Sequence, residues 1–163
     1  MEGNFTKPIT ACWWAITLAW AALIFYLSSQ TFSPGFSRGL LAWILQFLHL
    51  RVSSGTFHLL HTAFRRMAHV TEYAIFVSLL YGYPGEETTW LRRPRRALFC
   101  IMVATVYSLT DEFHQLFVPG RHASLLDCGW DTVGASLAML VFYIQEQMSL
   151  NRARYSPRAS AIQ

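Results

Sequence analysis

Residues 97–117 read ALFCIMVATVYSLTDEFHQLF. The first half carries no charge and only hydroxyls for polarity. Asp111, Glu112, His114 and Gln115 then arrive within five residues. At 1.5 Å per residue, a helix of this length covers the ~30 Å hydrocarbon core of a bilayer. The stretch therefore predicts a membrane-spanning helix whose one end is a dense polar lip.

Three more segments extend that pattern. Residues 9–27, ITACWWAITLAWAALIFYL, contain no charge. A cleaved signal peptide is the competing reading of this segment. It lacks a strong basic leader and an A-x-A site, and its apolar run is too long. Residues 67–83, MAHVTEYAIFVSLLYGY, are interrupted by His69 and Glu72, and residues 127–145, DCGWDTVGASLAMLVFYIQ, open on two acids. Soluble core helices would show polar faces at helical period, and the apolar parts of these runs show almost none.

The composition of the 163 residues agrees. Charged residues make up 13%, about half the ~25% of soluble domains. The net charge of +4 is small and scattered, which excludes a nucleic-acid footprint. Cys12, Cys100 and Cys128 form neither a disulfide framework nor a zinc motif. Cys12 and Cys100 lie in apolar runs and are expected to pack as small hydrophobes.

The expected architecture is an all-α integral membrane helical bundle with four transmembrane helices. A short interfacial helix lies between the first and second, at LLAWILQFLHL, after a turn-rich TFSPGFSRG. SGTFHLLHTAFRR then leads helically into the second span, with a serine as cap. Residues 1–8 are an N-terminal segment, 9–145 the membrane domain, and 146–163 a basic tail expected to be disordered. The N-terminus, the 84–96 loop and the tail share one side of a four-span topology and carry eight Lys and Arg, against five on the other. That bias sets both termini in the cytoplasm of a multi-pass protein of the bacterial inner membrane.

Every polar cluster bordering a span then falls on the outer face. Arg65, His69 and Glu72 form one stripe at i, i+4 and i+7, and Arg66, His69 and Tyr73 an overlapping one. On the third span Asp111, His114 and Gln115 lie together, beside Ser108, Glu112 and Gln115. On the fourth, Asp127 and Asp131 continue into Gly134 and Ala138, a stripe along which another helix can approach closely. An ionisable group within a span costs roughly 2.5–3.5 kcal/mol at the centre. The acids therefore need partners, which Arg65, Arg66 and Arg121 can supply.

These residues resemble the VanZ-like family of small bacterial membrane proteins over roughly residues 20–140. The resemblance rests on SSQ after the first span, RRMAHVTEYAIF, YSLTDEFHQLFVPGRHAS and DCGWDTVGA. It carries Arg66, His69, Glu72, Tyr73, Asp111, Glu112, Gln115, Arg121 and Asp127 over as motif positions. Asp131 stands where many relatives have Asn or Asp, which implies that its charge is dispensable. The resemblance implies a cell-envelope context, low-level resistance to the glycopeptide teicoplanin, and no particular reaction.

Three roles compete for the cluster. One is a structural network of ion pairs and hydrogen bonds. The second is a pocket for an anionic lipid-linked, cell-wall or glycopeptide ligand. There Arg66 and Arg121 form the clamp, and Glu72 or His69 serves as acid or base. The third is a metal site drawn from the histidines and acids, against which the three arginines argue. No activated Ser or Cys nucleophile is evident, and Ser124 beside His122 is a weak candidate. No cofactor and no metal is expected, and membrane lipids are the expected surroundings. Reporter fusions at Glu87 and Ser37 are predicted to report opposite sides of the membrane; the same side would contradict the topology.

Overall fold

A computed structural model describes residues 6–28, 34–82, 94–119 and 123–154. They form five helices: α1 (Thr6–Leu27), α2 (Pro34–Phe47), α3 (Ser54–Tyr81), α4 (Pro94–Gln115) and α5 (Leu125–Arg154). No strand occurs among the described residues. The all-α class is therefore what the sequence predicts.

The helix boundaries follow local chemistry. α2 and α4 open on prolines, whose missing N–H would be unsatisfied at a first helical position anyway. α2 thus starts inside the stretch expected to be turn-rich. It stops in a left-handed reversal: His49 has φ 54, and Leu50 N–H donates to Leu45 O at 2.9 Å, a Schellman closure without glycine. Ser53 caps α3 by accepting from Thr56 N–H at 3.2 Å. α5 continues past residue 145 to Arg154, so the first part of the expected tail is helical; residues 155–163 lie outside the described ones.

α1, α3, α4 and α5 alternate in direction. Trp13 Nε1 donates to Leu79 O (2.8 Å) and Trp20 Nε1 to Glu72 O (3.0 Å), so α1 runs antiparallel to α3. Tyr107 OH donates to Ala21 O at 2.6 Å, tying α4 to α1. Tyr73, Phe76, Val77, Tyr81, Ala104, Ala135 and Met139 fill the core between these helices, with Ile24 from α1. Cys100 belongs to it too, whereas Cys12 is exposed on α1 and does not pack as expected.

The tightest crossing is α3 on α5. A Cβ built on Gly134 would clash with the Val70 carbonyl and come within 2.8 Å of Val70 Cα. Only the missing side chain lets the backbones meet there. The end of α3 farther from the acids is closed by its neighbours. Gly82 N–H donates to Ser78 O (2.8 Å), Trp13 to Leu79 O, and Arg96 Nη2 to Tyr81 O (3.0 Å). The Leu79 and Tyr81 carbonyls, in the last turn, have no partner within the helix itself.

The outward faces are strongly apolar. Leu18, Phe99, Val106, Leu137 and Val141 are all exposed, a surface that soluble monomers rarely present. α1 and α5 are long and apolar enough to cross a membrane, over Ile9–Leu27 and Leu125–Ala153, with 11% and 28% of those windows buried. Helices of a soluble core would be mostly buried. α3 and α4 fall short of the same measure, because Arg65, Arg66 and Glu72, and Arg95, Arg96, Asp111 and Glu112, interrupt them.

Gly134→Ala should destabilise the protein by about 1–3 kcal/mol through overpacking at the α3–α5 crossing. Gly39→Ala, where an added Cβ meets nothing within 4 Å, should not. Thermal unfolding in detergent checks both.

Candidate functional site

The ends of α1 and α4, the start of α5 and the middle of α3 meet at one end of the bundle. Asp131 is its fixed point. It is 2% exposed, receives the His69 Nδ1 proton at 3.0 Å on Oδ1 and the Ser108 hydroxyl at 2.5 Å on Oδ2. One carboxylate thus joins α3, α4 and α5. The resemblance implied that its charge was dispensable. An Asn here would keep only one acceptor oxygen for two buried donors.

A second junction forms around Gln115. Its Nε2 lies 2.8 Å from Ser28 Oγ, 3.1 Å from Asp111 Oδ2 and 3.3 Å from Glu112 Oε1. Glu112 Oε2 accepts from Ser124 N–H at 2.5 Å, so the same acid anchors the entry to α5. Ser28, Asp111, Glu112 and Gln115 are all buried. Asp111 Oδ1 is buried with no hydrogen-bond partner among the described residues. Tyr73 is buried at the core edge of this cluster, 6.2 Å from Phe76 in a T-shaped ring contact, and its hydroxyl also lacks a partner among the described residues.

The cations divide. Arg65 lies 3.9 Å from Asp127, both partly exposed, a contact worth about 0–1 kcal/mol. Asp127 also sits in the first turn of α5, where the helix dipole favours an anion. Arg66, the motif arginine, is exposed and lies over the Trp130 ring at 5.3 Å. It does not meet the acids: a step of one residue along the helix turns it about 100° from Arg65. Arg121 and His122 lie outside the described residues. His114 turns its ring onto Phe25, 4.2 Å away.

Above these groups lies a cavity of about 210 Å³. Its polar wall is Arg65, His69, Glu72, Asp111, Gln115 and Ser28; its apolar wall includes Ile24, Leu27, Phe36, Leu40 and Phe64. The His69 nitrogen not given to Asp131, Nε2, has no hydrogen-bond partner among the described residues. Among those residues no three His, Cys, Asp or Glu side chains are placed to hold a metal ion. The α2 wall was not foreseen. The signal for the α3 wall was present in the spacing of Arg65, Ala68, His69 and Glu72.

α2 roofs this cavity. Ser37 Oγ and His61 Nε2 are 2.9 Å apart, Leu41 is buried, and Trp43 and Phe47 stack outward. Burial, then the charges of Arg38 and Arg65 and the neighbouring His58, push the His61 imidazole below its ordinary range. A neutral ring can accept the Ser37 hydroxyl.

The VanZ/LLP1 family model matches residues 13–146. The chain belongs to the VanZ-like family. No curated protein and no solved structure matches it. The family is membrane-associated, which fits the exposed apolar faces of α1 and α5. Within this VanZ-like chain the matched span takes in every residue of the two junctions and the whole cavity.

Two outcomes follow from the geometry. Asp131→Ala should cost about 1–3 kcal/mol, because it strands two buried donors, and Asp131→Asn should cost less; chemical unfolding in micelles measures both. The unfolded His61, at 6.5, takes up a proton before the folded one. Its contribution to α2 docking is therefore full above about pH 6.5 and lost as pH falls further. A fluorophore on Gln46→Cys, in a background free of other cysteines, should report α2 release on acidification, and His61→Gln should abolish that pH dependence.

Proposed function

We propose that this VanZ-like chain crosses the bacterial inner membrane four times, with both termini cytoplasmic. The cavity then opens at the outer interface and holds the polar head of an amphiphile. The class is a lipid-linked or cell-wall precursor, or a lipid-bearing glycopeptide such as teicoplanin. The observation that carries this is the two-sided wall of the cavity. Polar groups from α1, α3 and α4 face apolar side chains of α1, α2 and α3. A purely structural network would close such a space rather than keep about 210 Å³ open beside buried carboxylates.

The size supports a head group rather than a whole molecule, since drug-sized ligands fill roughly 300–1,000 Å³. Arg65 is the guanidinium in position to take an acidic group of that head. The α3 and α4 spans, too polar by composition alone, are supported by their outward residues. Ile75, Leu98, Met102 and Leu109 face away from the bundle, so lipid would meet an apolar surface while the acids meet one another.

Cells expressing the chain should show reduced teicoplanin susceptibility. Arg65→Ala and Glu72→Gln should each remove that effect while membrane levels hold, and Arg66→Ala should remove less of it. Unchanged susceptibility for the Arg65 and Glu72 variants at full protein levels would contradict the reading.

A further inference from the structure

We infer that the chain is a serine esterase, with Ser37 as nucleophile and His61 as its base, acting on an ester that joins an acyl chain to an acidic head. The pair stands apart from the amphiphile-binding reading; the choice of substrate rests on it. Ser37 lies in the first turn of α2 and His61 in the first half of α3. Ser37 Oγ and His61 Nε2 are 2.9 Å apart, within the ~2.6–3.2 Å reach of a nucleophile and its base. The two residues are 24 apart in the chain, so no local motif announces them.

Three observations favour chemistry over a simple tie between helices. Ser37 lines the cavity, between its neighbours Phe36 and Leu40 on the same wall. On α3 the hydroxyls of Thr62, Thr71 and Ser78 are bonded to carbonyls four residues back in their own helix, a common partner for a helical hydroxyl; Ser37 reaches an imidazole on another helix. His61 is 5% exposed. Burial, then the charges of Arg38 and Arg65 and the neighbouring His58, push its imidazole below the ordinary 6.5, so the neutral ring is the form present at pH 7. With the ring proton on Nδ1, Nε2 accepts from Ser37. The first turn of α2 also favours negative charge developing on an oxygen there. Among the described residues no carboxylate is bonded to His61, so the unit is a dyad rather than a triad.

The steps balance with water as the only co-reactant. The Ser37 hydroxyl proton passes to His61 Nε2 as Oγ bonds to the ester carbonyl carbon. Collapse of the tetrahedral intermediate breaks the bond to the leaving oxygen, which takes the proton from Nε2 and departs as the alcohol. Water then gives a proton to Nε2 and adds to the acyl carbon; the acid leaves, and Oγ recovers its proton. The walls choose the ester. Leu40, almost one turn on from Ser37, and Phe64 offer an acyl chain an apolar surface beside the nucleophile, while Arg65 lies on the polar wall where an acidic head would sit. A lysophospholipid with an acidic head has this chemistry.

The test treats the purified full chain in neutral detergent with excess alkyl fluorophosphonate and locates the adduct by peptide mass spectrometry. A single adduct on Ser37 is expected, and none in Ser37→Ala. His61→Gln, whose amide can still bond to Ser37, should slow labelling at least about 100-fold, the scale of general-base assistance. A pH profile of the unaltered chain serves if either variant does not elute as folded protein. The neutral base is fully present above about pH 6.5, so the labelling rate should level off there, whereas an unassisted hydroxyl keeps accelerating as pH rises. For the substrate, oleate release from oleoyl lysophosphatidylglycerol should exceed that from monooleoylglycerol at least about tenfold in kcat/KM, the scale of one charge-assisted contact, and Arg65→Ala should bring the two within about threefold.

Folded protein with no Ser37 adduct, equal labelling of His61→Gln, or a rate that climbs steadily past pH 6.5 overturns the esterase. If Arg65→Ala and Glu72→Gln still remove the teicoplanin effect in that case, the amphiphile reading stands without it. Labelling at Ser37 with hydrolysis of p-nitrophenyl butyrate but of neither lipid keeps the nucleophile and overturns the amphiphile as its substrate.

Discussion

A carboxylate removed from water must find donors or become neutral, and the polar end of this bundle is arranged around that constraint. Glu72, Asp111, Glu112, Asp127 and Asp131 come from three helices. If each sat alone against lipid, its burial would cost several kcal/mol. Brought together, they share a small set of donors. Asp131 takes His69 and Ser108, Glu112 takes the Ser124 N–H, and Gln115 lies between Ser28, Asp111 and Glu112. Each interhelical bond of this kind is worth about 0.6–1.7 kcal/mol in a membrane protein. Their larger effect is on register, because each donor reaches its acceptor at one rotation of each helix only.

The opposite end is held by different means. There the last carbonyls of α3 accept from Trp13 and Arg96, and the Arg96 guanidinium lies 5.6 Å over the Tyr81 ring. Between the two ends, Gly134 lets α5 close on α3, and Tyr73, Val77, Ala135 and Met139 fill the contact. The bundle is thus pinned above and below a packed middle. Packing gives way at the cavity beneath α2, next to the carboxylates. α2 touches the rest chiefly through α3, by Leu41 and the Ser37–His61 contact. It is the helix least tied to the others among the described residues.

Much of this was legible in the sequence, because helical period ties spacing to face. The Asp127, Asp131, Gly134 stripe and the Arg65, His69, Glu72 stripe name the surfaces that α5 and α3 turn toward their neighbours. What spacing does not carry is rotation between helices. Arg65 and Arg66 both fit a stripe through His69, and only the packing of α3 on α5 decides that Arg65 borders the cavity while Arg66 goes to Trp130. The start of α2 was hidden because PGFSRG has turn composition, yet Pro34 is compatible with a first helical turn. The tryptophan and tyrosine bonds to helix carbonyls left no sequence signal at all, since any indole or phenol in an apolar run reads as packing.

The central claim is that His69 and Asp131 are bonded partners that fix α3 against α4 and α5, and a double-mutant cycle addresses it most directly. Unfolding free energies of His69→Ala, Asp131→Ala and the double variant, measured in micelles, give the coupling between the two side chains. The structure, with Nδ1 3.0 Å from Oδ1, predicts a favourable coupling of at least about 0.5 kcal/mol and up to about 3. Single-variant costs that add to within about 0.3 kcal/mol would contradict it.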